Sequence, residues 1–173
     1  MPYPTVSHKI LLDFCPDPRP NPAPKREIVG RRLKVAVQET FAIIKPDAVA
    51  AGSSGKIIDA IEANGFEIVA MKKICLTEEQ AGGFYHVHHE RPFFGGLVAF
   101  MTSGPVITLI LRSEDAISRW RNLMGPTDAT KAEAGTIRGD FGTNIERNAS
   151  HGSDAPDTAQ FETSYFFNAF ERI

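Results

Sequence analysis

The sequence predicts an α+β fold, a four-stranded antiparallel sheet with helices on one face, on three observations. Apolar or β-branched runs of strand length, at 40–44, 66–71 and 105–111, are separated by segments of helical periodicity. A polar, glycine-punctuated stretch from 125 to 147 interrupts the pattern, too long for an ordinary connection and of the kind that carries function. A last short strand then reaches Ser150, and a closing helix runs to Phe167. The order βα-β-αα-β-α-loop-β-α resolves to the ferredoxin-like, split βαβ arrangement.

Each element has its own signal. Thr40-Phe41-Ala42-Ile43-Ile44 is a buried-strand run, stopped by Lys45-Pro46-Asp47 because proline cannot donate to a ladder. Ile57, Ile58 and Ile61 share one helical face, and Asn64-Gly65 ends that helix with the residues that tolerate a left-handed turn. Residues 66–71 form the second strand. Thr77-Glu78-Glu79-Gln80 supplies an N-cap and first-turn acids for a helix towards Tyr85 and His86. A further helix covers 93–101, and Ser113-Glu114-Asp115 caps another through Trp120 and Met124. Within the long loop, Ile137 and Phe141 form a short apolar group.

Composition bounds the function. The 173 residues suit one domain, at 35–173, preceded by a proline-rich extension at 1–34. Seven of the 12 prolines lie between Pro2 and Pro24, which favours extended, unpacked chain. With no methionine between Met1 and Met71, Val35 is the expected natural initiator, read from a GTG codon. The net charge of −2 divides into seven basic and three acidic residues over 1–37 against 12 basic and 18 acidic beyond. An acidic body argues against sequence-independent nucleic-acid binding. No apolar run is long enough to span a membrane. Cys15 and Cys75 show no metal-ligand spacing, so a reduced, cytoplasmic protein is the simplest account.

The chemistry centres on Asn148-Ala149-Ser150-His151-Gly152-Ser153-Asp154. Ser153 or Asp154 ahead of Pro156 reads as an N-cap, which places His151 on a tight connection before a helix N-terminus, where anions are favoured. A neutral imidazole can attack phosphorus directly. Cations stand at the ends of other elements: Lys45, His88 and Arg91, Arg121, and Arg138 in the long loop with Thr127. Such side chains neutralise charge in phosphoryl transfer. Gly52-Ser53-Ser54-Gly55-Lys56-Ile57 lacks P-loop spacing, and protein-kinase signatures are missing. His86-x-His88-His89 has no partners at tetrahedral metal spacing.

The segments Thr40-Phe41-Ala42-Ile43-Ile44-Lys45-Pro46-Asp47-Ala48, Arg91-Pro92-Phe93-Phe94, Met101-Thr102-Ser103-Gly104-Pro105, Gly135-Thr136-Ile137-Arg138-Gly139-Asp140-Phe141 and 148–154 resemble the nucleoside diphosphate kinase family, in order and at family spacing. The resemblance runs from about Val35 to the C-terminus. It implies transfer of the γ-phosphate of a nucleoside triphosphate (ATP) to a nucleoside diphosphate such as GDP, through a phosphohistidine, with Mg2+ on the phosphates and no metal ligand from the protein. It implies His151 as the nucleophile, through the pros nitrogen, with Glu162 orienting its ring and Tyr85 supporting the site. Lys45 and Asn148 would meet the sugar hydroxyl and terminal phosphate. His88, Arg91, Arg121, Thr127 and Arg138 would hold the phosphates, and the base would lie between Phe93 and Ile145. A homotetramer or homohexamer is implied.

Ala51, Ser53-Ser54 and Ala129 depart from the family pattern, which bears on packing rather than chemistry. Two rival readings exist: a catalytically silent regulatory module, and a protein-histidine phosphotransfer member. The first would be expected to lose His151 or the phosphate ligands; the second would need neither Phe93 nor the Lys45 and Asn148 pair.

Overall fold

The computed structural model describes residues 37–173; the expectations for the extension at 1–34 and for Val35 fall outside these described residues. In chain order the elements are β1 (Val37–Ile44), α1 (Pro46–Ala50), α2 (Ser54–Ala63), β2 (Glu67–Ile74), α3 (Glu78–Phe84), α4 (Phe94–Met101), β3 (Val106–Glu114), α5 (Ala116–Met124), α6 (Ile137–Phe141), β4 (Ser150–Gly152) and α7 (Pro156–Phe166). The four strands form one sheet in the order β2-β3-β1-β4, and every pairing is antiparallel. The predicted α+β fold and its four-stranded sheet are present.

Helices cover both faces of the sheet rather than one. Ala42, Ile44, Leu109 and Leu111 pack with Ile57 and Ile61 of α2 and Trp120 and Met124 of α5. On the other face Phe41, Ile43 and Ile110 pack with Ala81 and Phe84 of α3, Met101 of α4 and Phe167 after α7. Side chains alternate across a strand, so two apolar layers need an unbroken apolar run, and Phe41-Ala42-Ile43-Ile44 is one. Ile61 is fully buried, and truncating it to alanine should cost about 2–5 kcal/mol.

Local signals hold in most places. Gly65, at φ 74°, follows the C-cap Asn64 of α2. Thr77 and Gln80 form a reciprocal capping box on α3. Asp115 does not cap α5 with its side chain; it takes a left-handed conformation at φ 50°. The Gln38 Oε1 accepts the Ile117 amide instead, because β1 runs alongside and offers a long-range acceptor. The stretch 125–147 holds a 3-10 turn at Ala129–Lys131 and the helix α6, whose Ile137 and Arg138 are both buried. Ala129, one of the departures, is buried in that turn, while Ala51 is exposed at the end of α1.

Candidate active site

The site forms where β1 ends beside β4. The edge of β1 pairs with only three residues, setting Ile43 opposite His151 and Ile44 opposite Ser150. Opposite residues share a face, so His151 stands on the side of Ile43, towards α3 and α7. Its ring packs edge-on against Phe41, Phe84 and Tyr85, at centroid distances of 6.3, 5.4 and 5.9 Å. His151 is therefore a strand residue rather than one on a loop before a helix. The backbone of β1 would otherwise expose an unpaired edge, and 150–152 satisfies it. The closing helix begins at Pro156, with Ala155 at the N-cap in place of Ser153 or Asp154.

Ser153 is free for another task. Its Oγ accepts the Phe41 amide at 3.2 Å and donates to Glu162 Oε2 at 2.7 Å. The same carboxylate oxygen lies 3.1 Å from His151 Nε2. Glu162 therefore assigns the proton of a neutral imidazole to Nε2 and leaves the Nδ1 lone pair free to react. Tyr85 seals the site from α3: its hydroxyl is buried without a hydrogen-bond partner. Burial first, and the nearby Glu162 second, push the Tyr85 phenol well above its ordinary range, so it keeps its proton.

Behind His151 the β4 backbone is held at several points. Trp120, fully buried, donates its indole N–H to the His151 carbonyl at 3.2 Å. Gly152 permits this approach, since a Cβ there would run into the indole ring. Arg138 donates from Nη2 to the Ser150 carbonyl at 3.1 Å and from Nη1 to the Gly125 carbonyl at 2.9 Å. Burial, then the facing Arg121, pull Arg138 down to about 10, which leaves it charged at neutral pH.

Lys45 and Asn148 meet directly, Nζ donating to Oδ1 at 2.6 Å. Asn148 Nδ2 in turn donates to the carbonyls of Thr127 and Ile145, which ties the long loop to the sheet. Lys45 is pulled down to about 8 by burial and by Arg138, against an upward pull from Asp47. Ala149, between Asn148 and Ser150, has φ 64°, a left-handed conformation that costs an alanine about 1–2 kcal/mol.

The remaining predicted residues form a more open rim. Arg121, on the last turn of α5, pairs with Asp154. His88 and Phe93 pack ring to ring at 5.7 Å around the start of α4, and Arg91 is exposed beside them. Phe93 is 52% exposed and Ile145 60%. Thr127 contributes its carbonyl to Asn148, and its side chain is exposed. The structure thus brings together Lys45, Tyr85, Arg121, Arg138, Asn148, His151 and Glu162. It leaves His88, Arg91 and Phe93 as a separate group at the other end of α4, whose Phe100 ring carries Lys45 at 5.9 Å and Arg147 at 5.6 Å.

Sequence reasoning missed Asp47, Ser153, Trp120 and Phe100. Asp47 read only as part of a strand stop, Ser153 as a cap, and Trp120 and Phe100 as core. Trp120 bonds a partner 31 positions away, Asp47 one 102 away and Ser153 one 112 away, separations that local pattern does not encode.

A carboxylate-held imidazole among a lysine and two arginines is a layout suited to an enzyme that handles phosphate. A family model described as nucleoside diphosphate kinase matches residues 38–172. The chain is 61% identical over 137 residues to the nucleoside diphosphate kinase of Pelobacter propionicus, covering 79% of this chain and 100% of that one. It is also 61% identical over 137 residues to that of Trichlorobacter lovleyi, covering 79% and 99%. Among solved structures, the Aquifex aeolicus nucleoside diphosphate kinase superposes with a TM-score of 0.78 at 48% identity, over 80% of this chain and 100% of that one. A halophilic nucleoside diphosphate kinase from Halobacterium salinarum, solved in complex with CDP, gives 0.77 at 41% identity, over 80% and 92%. The chain belongs to the nucleoside diphosphate kinase family, and it is an enzyme of that kind.

Proposed function

We propose that the enzyme carries the γ-phosphate of a nucleoside triphosphate to a nucleoside diphosphate by way of His151. In the first half-reaction the Nδ1 lone pair attacks the γ-phosphorus. The bond to the β-phosphate oxygen breaks, and the diphosphate leaves. In the second, a terminal oxygen of the acceptor diphosphate attacks the same phosphorus, and the N–P bond breaks. Glu162 holds the Nε2 proton throughout, so the ring enters and leaves each step in one tautomer. The hydrogen bond from Nε2 to Glu162 is the single observation that carries the reading.

The other residues supply charge and orientation. Lys45, Arg121 and Arg138 offset the charge that develops on the phosphoryl oxygens, which with positioning accounts for most of the acceleration in this chemistry. Lys45 and Asn148 address the sugar hydroxyl and terminal phosphate, with His88, Arg91 and Thr127 on the phosphates. Phe93 and Ile145 bracket the base. Magnesium fits as a companion of the nucleotide, since its phosphates would supply the oxygen ligands the ion takes. Bound there, it would draw negative charge off the phosphates. The enzyme is proposed to act in the cytoplasm as a homotetramer or homohexamer. The free, exposed Cys75 supports the compartment, and the apolar Met71, exposed on the edge strand β2, supports assembly.

Incubation with γ-labelled ATP and no acceptor should give an acid-labile, alkali-stable phosphoprotein that GDP discharges to GTP. Double-reciprocal plots should be parallel. Intersecting lines, or label retained by folded His151→Ala protein, would overturn the covalent mechanism.

A further inference from the structure

We propose that Asp47 is a positioning residue of this site: its carboxylate clamps the left-handed Ala149 peptide, and so sets Asn148 and His151 in register with Lys45. The inference rests on the phosphotransfer reading for its kinetic consequences and on geometry for the clamp itself.

Ala149 is held from both sides. Its amide donates to Asp47 Oδ2 at 3.0 Å, and its carbonyl accepts the Lys45 amide at 2.9 Å. Those two partners are two residues apart, across the junction of β1 and α1. Proline at position 46 has no amide to offer and fixes the first turn of α1, so Asp47 lies in the turn that follows the strand. The conformation held there is an unfavourable one for alanine, at φ 64°. Released, the peptide would relax towards negative φ and rotate its neighbours: Asn148, whose Oδ1 accepts Lys45 Nζ, and through Ser150 the strand that bears His151. The second carboxylate oxygen, Oδ1, is buried with no hydrogen-bond partner, and Asp47 is the acidic neighbour that favours the Lys45 ammonium. The charged groups facing Lys45 are Asp47 from α1 and Arg138 from α6. Its other neighbours are uncharged, Phe100 from α4 and Asn148 ahead of β4, although Arg147 lies over the same Phe100 ring.

Clamp and charge separate by substitution. Asp47→Ala removes both, and should lower kcat about 10- to 100-fold, since sub-ångström misplacement of reacting groups costs on that scale. Asp47→Asn keeps an oxygen acceptor for the Ala149 amide and should regain about fivefold or more over Asp47→Ala. It should also move the alkaline limb of the kcat/KM profile to lower pH, because Lys45 loses the one charge that favours its ammonium form. Ala149→Gly, which removes the conformational cost, should partly restore kcat in the Asp47→Ala background without moving that limb. Amide exchange at Ala149, measured without nucleotide, should speed up in Asp47→Ala.

Unchanged exchange, an unmoved alkaline limb in Asp47→Asn, or equal losses in Asp47→Asn and Asp47→Ala would overturn the proposal. A wild-type protein with no phosphotransfer would instead overturn the functional reading, and the exchange result would still decide the clamp.

Discussion

The proposed catalytic edge and the proposed nucleotide rim are built to opposite specifications. At the edge, Lys45, Arg138, Asn148 and Ser153 are buried, and each makes side-chain hydrogen bonds to groups on other elements. At the rim, Arg91 and Phe93 are exposed, as is Ile145, whose side chain offers only an apolar surface. The difference follows from what each region meets. The phosphoryl group is the same in every substrate, so preorganised donors and cations are useful in every turnover. The base varies, and on the proposed reading a flat ring facing an apolar side chain would accept any π-face.

The largest expected effect tests the edge at its centre. His151→Ala should abolish both label transfer and turnover, a loss of about four or more orders of magnitude, because the proposed route runs through its Nδ1. Burst and steady-state assays on folded protein check it. Lys45→Ala should follow, with a fall of about 10²–10³ in kcat, the scale seen when one preorganised donor is removed. Lys45 also fixes a pH dependence. Its ammonium is held down at about 8, so kcat/KM should fall as pH rises through that value and the positive charge is lost. A profile flat to pH 9.5 would remove Lys45 from the phosphate contacts.

Glu162→Gln probes the support behind the nucleophile. The amide can turn its NH2 towards Nε2 and so place the ring proton on Nδ1, the wrong nitrogen for attack. A fall of about 10- to 100-fold in phosphoenzyme formation is expected, in line with losses of groups that orient a functional imidazole. Thermal unfolding of the same variant separates this from damage to the Ser153 bond. If phosphoenzyme forms at the wild-type rate, Glu162 does not set the tautomer.

The two regions also differed in how far the sequence disclosed them. Strand and helix periods, the Asn64-Gly65 stop and the Thr77 cap depend on neighbours within a few residues, and those features appear where expected. The resemblance placed Lys45, Asn148, Arg138, His151 and Glu162, and the structure gathers them at one sheet edge. What the sequence could not disclose is register. That His151 faces Ile43 in a strand, that Ser153 binds Glu162 and Phe41, and that Asp47 reaches Ala149 all follow from a β1–β4 pairing over more than a hundred positions. The second helical layer was missed for a similar reason, since an apolar run shows burial on both faces without naming what covers each one.

The smallest effect belongs to the rim. Phe93→Ala should raise KM about 5- to 150-fold, as expected from the roughly 1–3 kcal/mol that stacking contributes per base. It should leave kcat within about threefold, because an interaction made equally in ground and transition states changes binding without changing the chemical step. The loss should be larger for purines than for pyrimidines, since the larger base covers more of the ring. In the wild-type enzyme the same openness predicts base tolerance. With Phe93 52% exposed and Ile145 60%, the rim offers area rather than hydrogen bonds to base edges. Ribo and deoxyribo forms of purine and pyrimidine substrates should all turn over. A spread in kcat/KM of more than about three orders of magnitude between any two bases would exceed what stacking alone supplies, because such discrimination requires polar groups that read the base edge.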